Sequence, residues 1–357
     1  MILKGIDTLE FGLDIPNYLV NCGSFLMRFM TLKEAAQKDG KECEINIGGI
    51  TLKVHRNGAP FYAYRLSCND FMILFMDRQM KENPPVRVRF MSGYLWSFGY
   101  KKAYGIFIKW FLENFHVYSV ANRLSRVDIS VDSDRIKFIE SDVYGIVTRA
   151  RSKKKHFVSG QYFFGRKFSG FTIGGGGTLM ARIYNKTLEI KNSGKAWFCD
   201  LWRESGWNEE KEVWRVEFQI RREVLKEFGI YSLEDLLEKE NGIWDYLTSK
   251  WLIIKQSFGK NVSRWKVKNK WKLVQQANSF YLKGSPLVRE SFKQGNVNRL
   301  MDQASGALMS VAALTNHKSV DDTITLLKTW TNIKLERKQT SFKEETERRK
   351  RKFIVKI

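Results

Sequence analysis

Arg126-Val-Asp-Ile-Ser-Val-Asp132 alternates polar and apolar side chains with period two. In a β-strand alternate side chains share a face, so Arg126, Asp128, Ser130 and Asp132 fall opposite Val127, Ile129 and Val131. Two later stretches repeat the pattern. Arg182-Ile-Tyr-Asn-Lys186 sets Arg182, Tyr184 and Lys186 opposite Ile183, and Trp214-Arg-Val-Glu-Phe-Gln219 sets Arg215, Glu217 and Gln219 opposite Val216 and Phe218. Each of the three strands offers an apolar face to a core and an ionisable face elsewhere. A solvated sheet face with cross-strand ion pairs accounts for this pattern, and so does a site.

Further strands surround these three. Residues 49–54 (GITLKV) and 61–66 (FYAYRL) flank Arg56-Asn57-Gly58, a hairpin signal. Residues 71–76 (FMILFM) and 86–90 (VRVRF) continue the pattern, and Pro84-Pro85 excludes a helix between them. Residues 161–164, 170–173, 179–184 and 213–220 also read as strands, with four glycines at 174–177 as a hairpin turn. Residues 100–115 (YKKAYGIFIKWFLENF) carry apolar side chains at helical spacing and are predicted to cover the sheet. Helices are predicted at 222–228 and at 233–239, the second behind an N-capping Ser232. The order gives an α+β fold, a mainly antiparallel sheet with covering helices, plus a basic, largely helical C-terminal region.

With 357 residues the chain is long enough for two domains, and its 43% hydrophobic content excludes a wholly disordered basic protein. Lys and Arg outnumber Asp and Glu by 23, and 15 of that excess falls in residues 251–357. Such an excess calls for a polyanionic partner, most commonly nucleic acid. Residues 1–245 are read as an ordinary folded domain and 246–357 as a basic, DNA-binding region. Within residues 255–272 (KQSFGKNVSRWKVKNKWK) there are seven basic side chains and no acids. Arg264, Lys266, Lys268, Lys270 and Lys272 can neutralise phosphates there, and Trp265 can stack on a base. The bland alternative is a solvated helix face with its tryptophans in the core. The tail 344–352 (EETERRKRK) reads equally as a solvated helix end or a nonspecific DNA contact.

Cys22, Cys43, Cys68 and Cys199 show no CxxC spacing and build no disulfide framework. The first residues lack the apolar run of a signal peptide, and no stretch matches a membrane span. A reduced, cytoplasmic protein with no membrane partner is expected.

The ionisable faces hold a particular chemistry. Asp128, Asp132 and Glu217 are hard oxygen ligands suited to Mg²⁺ or Mn²⁺. Tyr184 is a candidate nucleophile, with Tyr162 second. Arg182 and Lys186 can neutralise a phosphate and are expected to favour the phenolate. A tyrosine-dependent DNA nickase needs this combination: a cation polarises the scissile phosphate, the phenolate attacks, and the 3′-hydroxyl leaves. The glycines at 174–177 are no phosphate loop, since no Gly-Lys-[Ser/Thr] follows.

These segments resemble the replication initiation factor family, which comprises rolling-circle initiators of small staphylococcal plasmids, related phage proteins and relaxases of some conjugative elements. Leu124-Ser-Arg-Val-Asp-Ile-Ser-Val-Asp132 is similar to its R-[LIV]-D-x-x-x-D strand. Arg182-Ile-Tyr-Asn-Lys186 with Glu189 is similar to its R-[IVF]-Y-[ND]-K-x-x-E segment, and Val213-Trp-Arg-Val-Glu217 to its W-R-V-E strand. Gly5-Ile-Asp7 and residues 86–90 match more weakly. The resemblance covers about residues 1–245 and implies Tyr184 as nucleophile, with Asp128, Glu217 and Asp132 as metal-binding acids. The family lacks a paired-histidine motif, and here His55, His116, His156 and His317 stand apart. The glycines at 174–177 depart from the polar, basic hairpin of relatives.

The implied function is a metal-dependent endonuclease and strand transferase that initiates rolling-circle replication. It would nick one strand of origin DNA, leaving a 5′-phosphotyrosyl link and a free 3′-hydroxyl. The alternative is a non-catalytic, sequence-specific DNA-binding protein. Expected partners are origin DNA, double-stranded and as the nicked single strand, with a homodimer and a host helicase as further candidates.

Overall fold

The computed structural model describes residues 1–159, 166–278, 293–294, 297–350 and 353–354. The strand predicted at 161–164, and Tyr162 with it, lie outside the described residues. Two compact units divide between Val288 and Arg289.

The first unit opens with β1 (Ile2–Asp14), α1 (Tyr18–Asp39), β2 (Cys43–Ile47), β3 (Ile50–Val54), β4 (Tyr64–Ser67), β5 (Phe71–Phe75) and β6 (Val86–Phe90). Helices α2 (Ser92–Phe98) and α3 (Tyr100–Phe115) lead to β7 (Ala121–Ser133), β8 (Ile146–Thr148), β9 (Lys153–Ser159), β10 (Arg166–Ile173) and β11 (Leu179–Asn185). Then come α4 (Lys186–Ser193), α5 (Trp197–Glu204), β12 (Trp214–Arg221), α6 (Arg222–Glu227), α7 (Leu233–Tyr246), β13 (Leu252–Ile254) and α8 (Asn269–Gln275). The described residues form an eleven-stranded antiparallel sheet, in the order β2-β3-β4-β5-β6-β1-β7-β12-β11-β10-β9. The expected α+β architecture, dominated by antiparallel pairing, is what the chain adopts.

The sheet is built outward from β1 and β7, 13 residues each. Their register slips between Ile6 and Thr8, setting Asp7 in a bulge. On one face Ile6, Leu9, Phe11, Val127, Ile129 and Val131 are buried. Helix α3 lays Ala103, Phe107, Phe111 and Phe115 on this side, spaced four apart as a buried helical face requires. Phe107 meets Phe11 and Phe90 edge-on, with centroids 6.0 and 5.3 Å away. Such pairs add roughly 0.5–1.5 kcal/mol each beyond area burial. On the opposite face Gly5 lies under Trp96, where a β-carbon would come within 2.6 Å of the indole.

The turns follow their chemistry. The glycines at 174–177 join β10 to β11, with Gly177 N–H donating to the Gly174 carbonyl at 3.0 Å. Ser232 caps α7 by accepting from Asp235 N–H at 3.2 Å. Strand β2 was not expected, although Gly48 and Gly49, at φ 54° and 81°, form the two-residue turn that pairs it with β3.

Residues 246–278 pack inside the first unit. Strand β13 pairs with β8, and the fully buried Trp271 donates its indole N–H to the Thr248 carbonyl at 2.9 Å. The second unit contains α9 (Val297–Thr315), α10 (Val320–Arg337) and α11 (Phe342–Lys350). Ser319 caps α10, and Lys334 and Arg337 sit at its negative end. Among the described residues no helix is long and apolar enough to cross a membrane.

Candidate active site

Strands β7, β12 and β11 lie side by side, and their register assembles the three ionisable faces into one. Asp132 is opposite Arg215, which is opposite Tyr184; Ser130 is opposite Glu217, which is opposite Arg182. The face is ion-paired as a solvated sheet would be, but it is not solvated. Asp128, Ser130, Asp132, Arg215 and Glu217 are each at most 2% exposed. Helices α2, α4 and α5 stand at its margin and, with the strands, enclose a cleft of about 1010 Å³ lined in part by Asp7, Asp128, Arg182, Tyr184, Lys186 and Glu217.

At the cleft floor the Tyr184 hydroxyl donates to Glu217 Oε2 at 3.0 Å, and Arg182 pairs with Glu217 Oε1. Burial, then the Glu217 charge, push the Tyr184 hydroxyl well above its ordinary value, against a smaller opposing pull from Arg215. This corrects the expectation that Arg182 and Lys186 favour a resting phenolate. Arg182 spends its charge on Glu217, and Lys186 pairs with Glu189. Lys186 is itself pushed down, by burial and by Arg215. It opens α4 rather than ending the strand, because Asn185 caps the helix by accepting from Leu188 N–H at 3.1 Å.

Asp128 accepts two hydrogen bonds from Arg126, at 2.9 and 2.6 Å. Burial raises its carboxyl to about 6; Arg126 opposes this and the neighbouring Glu217 charge adds to it. Two carboxylates thus repel across the floor, each held by one arginine. Asp132 is placed differently. Arg215 grips both its oxygens at 2.5 and 2.7 Å, and the Trp202 indole donates to Oδ2 at 3.0 Å. Among the described residues no three Asp, Glu, His or Cys side chains converge as a metal site.

Sequence reasoning missed Asp7. Its bulge turns the carboxylate into the cleft, where Oδ1 accepts from Arg215 at 2.6 Å, Ser92 at 2.8 Å and Trp96 at 3.1 Å. Burial would raise this carboxyl, but Arg215, Ser92 and Trp96 outweigh it and hold it far below the carboxylate range. The weak Gly5-Ile-Asp7 match was the available signal. Arg215 and Trp202 were likewise not picked out as site residues.

The basic segment sorts into two groups. Lys268 and Lys270 each reach the buried Asp142 at 2.6 Å. Arg264, Lys266 and Lys272 are exposed and make no ion pair among the described residues. Trp265 is half-buried, with its indole N–H 3.3 Å from the Gly259 carbonyl. Lys266, Lys268, Lys270 and Lys272 all line a groove with Lys137.

No family model matches the sequence, and no curated protein matches it. A solved structure of a rolling-circle replication initiator protein from Geobacillus stearothermophilus aligns with 80% of this chain and 100% of its own. The TM-score is 0.46 and the identity 13%. A likeness at that level carries no argument about chemistry, which rests on the cleft.

Proposed function

We propose that the cleft nicks one strand of origin DNA, with Tyr184 as nucleophile, to start rolling-circle replication. The observation that carries this reading is the Tyr184 hydroxyl donating to Glu217 in a cleft that Arg126 and Arg182 also line. A buried phenol is a poor nucleophile until a base takes its proton. Glu217 Oε2 stands where that proton must go. As the proton moves to Glu217, the tyrosine oxygen bonds to phosphorus. The bond from phosphorus to the 3′-oxygen breaks, and its electron pair leaves with that oxygen, which takes a proton from water. The products are a 5′-phosphotyrosyl link and a free 3′-hydroxyl. Once Glu217 holds the proton, Arg182 no longer faces a carboxylate there and can offset, together with Arg126, the charge on the pentacoordinate phosphate.

The donor set fits a hard divalent cation such as Mg²⁺ or Mn²⁺. Asp128 and Glu217 repel one another, and catalytic sites of this kind use one or two carboxylates, with substrate phosphate and water as the other ligands. When bound, the cation supplies Lewis-acid polarisation of the phosphate. Asp132, unlike Asp128 and Glu217, does not line the cleft and is left out of this ligand set. Similarity of the three motif strands to the replication initiation factor family supports the same roles. The rival reading, a DNA-binding protein without chemistry, has no use for the Tyr184–Glu217 pair.

The test is incubation with supercoiled DNA carrying the cognate origin and Mg²⁺ or Mn²⁺, followed by mass spectrometry of the trapped adduct. Tyr184→Phe should abolish nicking and attachment while DNA binding survives. Attachment at another residue, or undiminished nicking by Tyr184→Phe, would overturn the assignment.

A further inference from the structure

The register that brings Tyr184 beside Glu217 continues past the cleft. On β10, Gly170 is opposite Tyr184 and Thr172 opposite Arg182. On β9, His156 is opposite Gly170 and Lys154 opposite Thr172. The polar face therefore runs on to the sheet edge as two rows, Tyr184-Gly170-His156 and Arg182-Thr172-Lys154. Gly170 puts no side chain beside the Tyr184 ring. Nor can it accept one, because a β-carbon would sit 2.2 Å from the Ile183 carbonyl oxygen at a φ of 155°.

The three consecutive lysines of β9 are used unequally. Lys153 donates to the Ile146 carbonyl at 2.7 Å and Lys155 pairs with Glu140, both beneath the apolar face. Lys154, between them, faces the other way, is exposed, and makes no ion pair among the described residues. His156 Nε2 lies 2.8 Å from Thr172 Oγ1 and its ring is exposed. Arg182 is 42% exposed at its side chain, and its buried Nε has no hydrogen-bond partner among the described residues.

We propose that these rows are a track for the phosphate backbone of a single DNA strand, leading between Tyr184 and the sheet edge, with Arg182, Lys154 and His156 as its phosphate contacts. The inference deepens the nicking reading, on which its direction rests. Two strand spacings separate β11 from β9, about 10 Å. That equals about three nucleotide rises of a duplex strand at ~3.4 Å each, and fewer nucleotides of an extended single strand. A single strand suits a shallow sheet face better than a duplex, and its flexible backbone can bend into the cleft. The plain competitor is edge protection, since lysines on an edge strand discourage sheet-to-sheet association.

Full-length protein is titrated with a dye-labelled single-stranded 20-mer across a salt series, alongside Lys154→Gln, His156→Gln, Lys154→Arg and Lys153→Gln. Lys154→Gln should reduce the slope of log affinity against log salt by about 0.7, the single-strand value for one contact. His156→Gln should weaken binding without changing oligomeric state, and Lys154→Arg should restore the slope. Lys153→Gln, on the other face, should leave it unchanged. An unchanged slope in Lys154→Gln, or self-association of that variant at parental slope, overturns the track. A Lys154-dependent slope with covalent attachment away from Tyr184 sinks the nucleophile and keeps the surface. Attachment at Tyr184 with no slope change does the reverse.

Discussion

Replacing Arg215 with methionine tests the electrostatic keystone of the polar face. Arg215 is fully buried and is shared by the wholly buried Asp132 and the partly exposed Asp7. Methionine keeps much of the volume and removes the cation, leaving two carboxylates facing each other. Breaking one buried pair typically costs about 3–5 kcal/mol. The loss should fall at the upper end of that range because two acids lose the same partner. Against a total of about 5–15 kcal/mol for a domain, the variant should be folded but close to its threshold. Urea titration followed by tryptophan fluorescence reads the difference. The pH dependence should also change sign. In the parent, Asp7 is held below its unfolded value, so its contribution is present above about pH 4 and is lost as pH falls further. In the variant Asp7 has no such partner and rises above its unfolded value. Stability should then increase as pH falls from neutral toward 4. The triple change Asp7→Asn, Asp132→Asn and Arg215→Met should recover much of the loss, because Ser92, Trp96 and Trp202 can still donate to amide oxygens. A loss below about 1 kcal/mol, or parental pH dependence in Arg215→Met, would refute the argument.

The basic segment should divide by function. Neutralising Arg264, Lys266 and Lys272 to glutamine should lower the salt slope of duplex binding by up to about 0.9 per contact and leave stability alone. Changing Lys268 and Lys270 to methionine should instead destabilise the fold, because the buried Asp142 loses the two ammonium groups that hold its carboxyl low; equal slopes in the two variants would contradict this. Cys22 is buried and its thiol is pushed up to about 12, so it should stay unmodified by iodoacetamide at pH 8 until the protein is unfolded, and peptide mapping of the native protein would expose any error.

The polar face was legible because period-two alternation is a local signal, and β7, β11 and β12 all carry it. That these strands are neighbours was not, since pairing is set by partners distant in sequence. Strand β1 escaped for a related reason. Its Asp7 bulge interrupts the alternation, and Thr8 and Glu10 turn to the polar face, so no window of the sequence reads cleanly. The phenolate expectation failed because a sequence displays neighbouring charges but not burial. At Tyr184 desolvation and Glu217 outweigh the cations. That Lys268 and Lys270 also pair with Asp142 was not legible, because Asp142 lies more than 120 residues away.

The central place of β1 in the sheet has a consequence for synthesis. Strand β1 is made before every other strand of the sheet, yet both its neighbours, β6 and β7, come after at least 70 further residues. It must wait with both edges open, the circumstance in which strands find wrong partners. The polar face matures later still. Asp7 and Asp132 are translated well before Arg215, the cation that neutralises them. A chain released before residue 215 would hold two acids without the arginine that pairs with both, and no Glu217 to pair with Tyr184. Truncated products would therefore lack both the stability of the sheet and its assembled polar face, and β12, the last strand of the sheet to be made, would serve as the checkpoint that only a nearly complete first unit can pass.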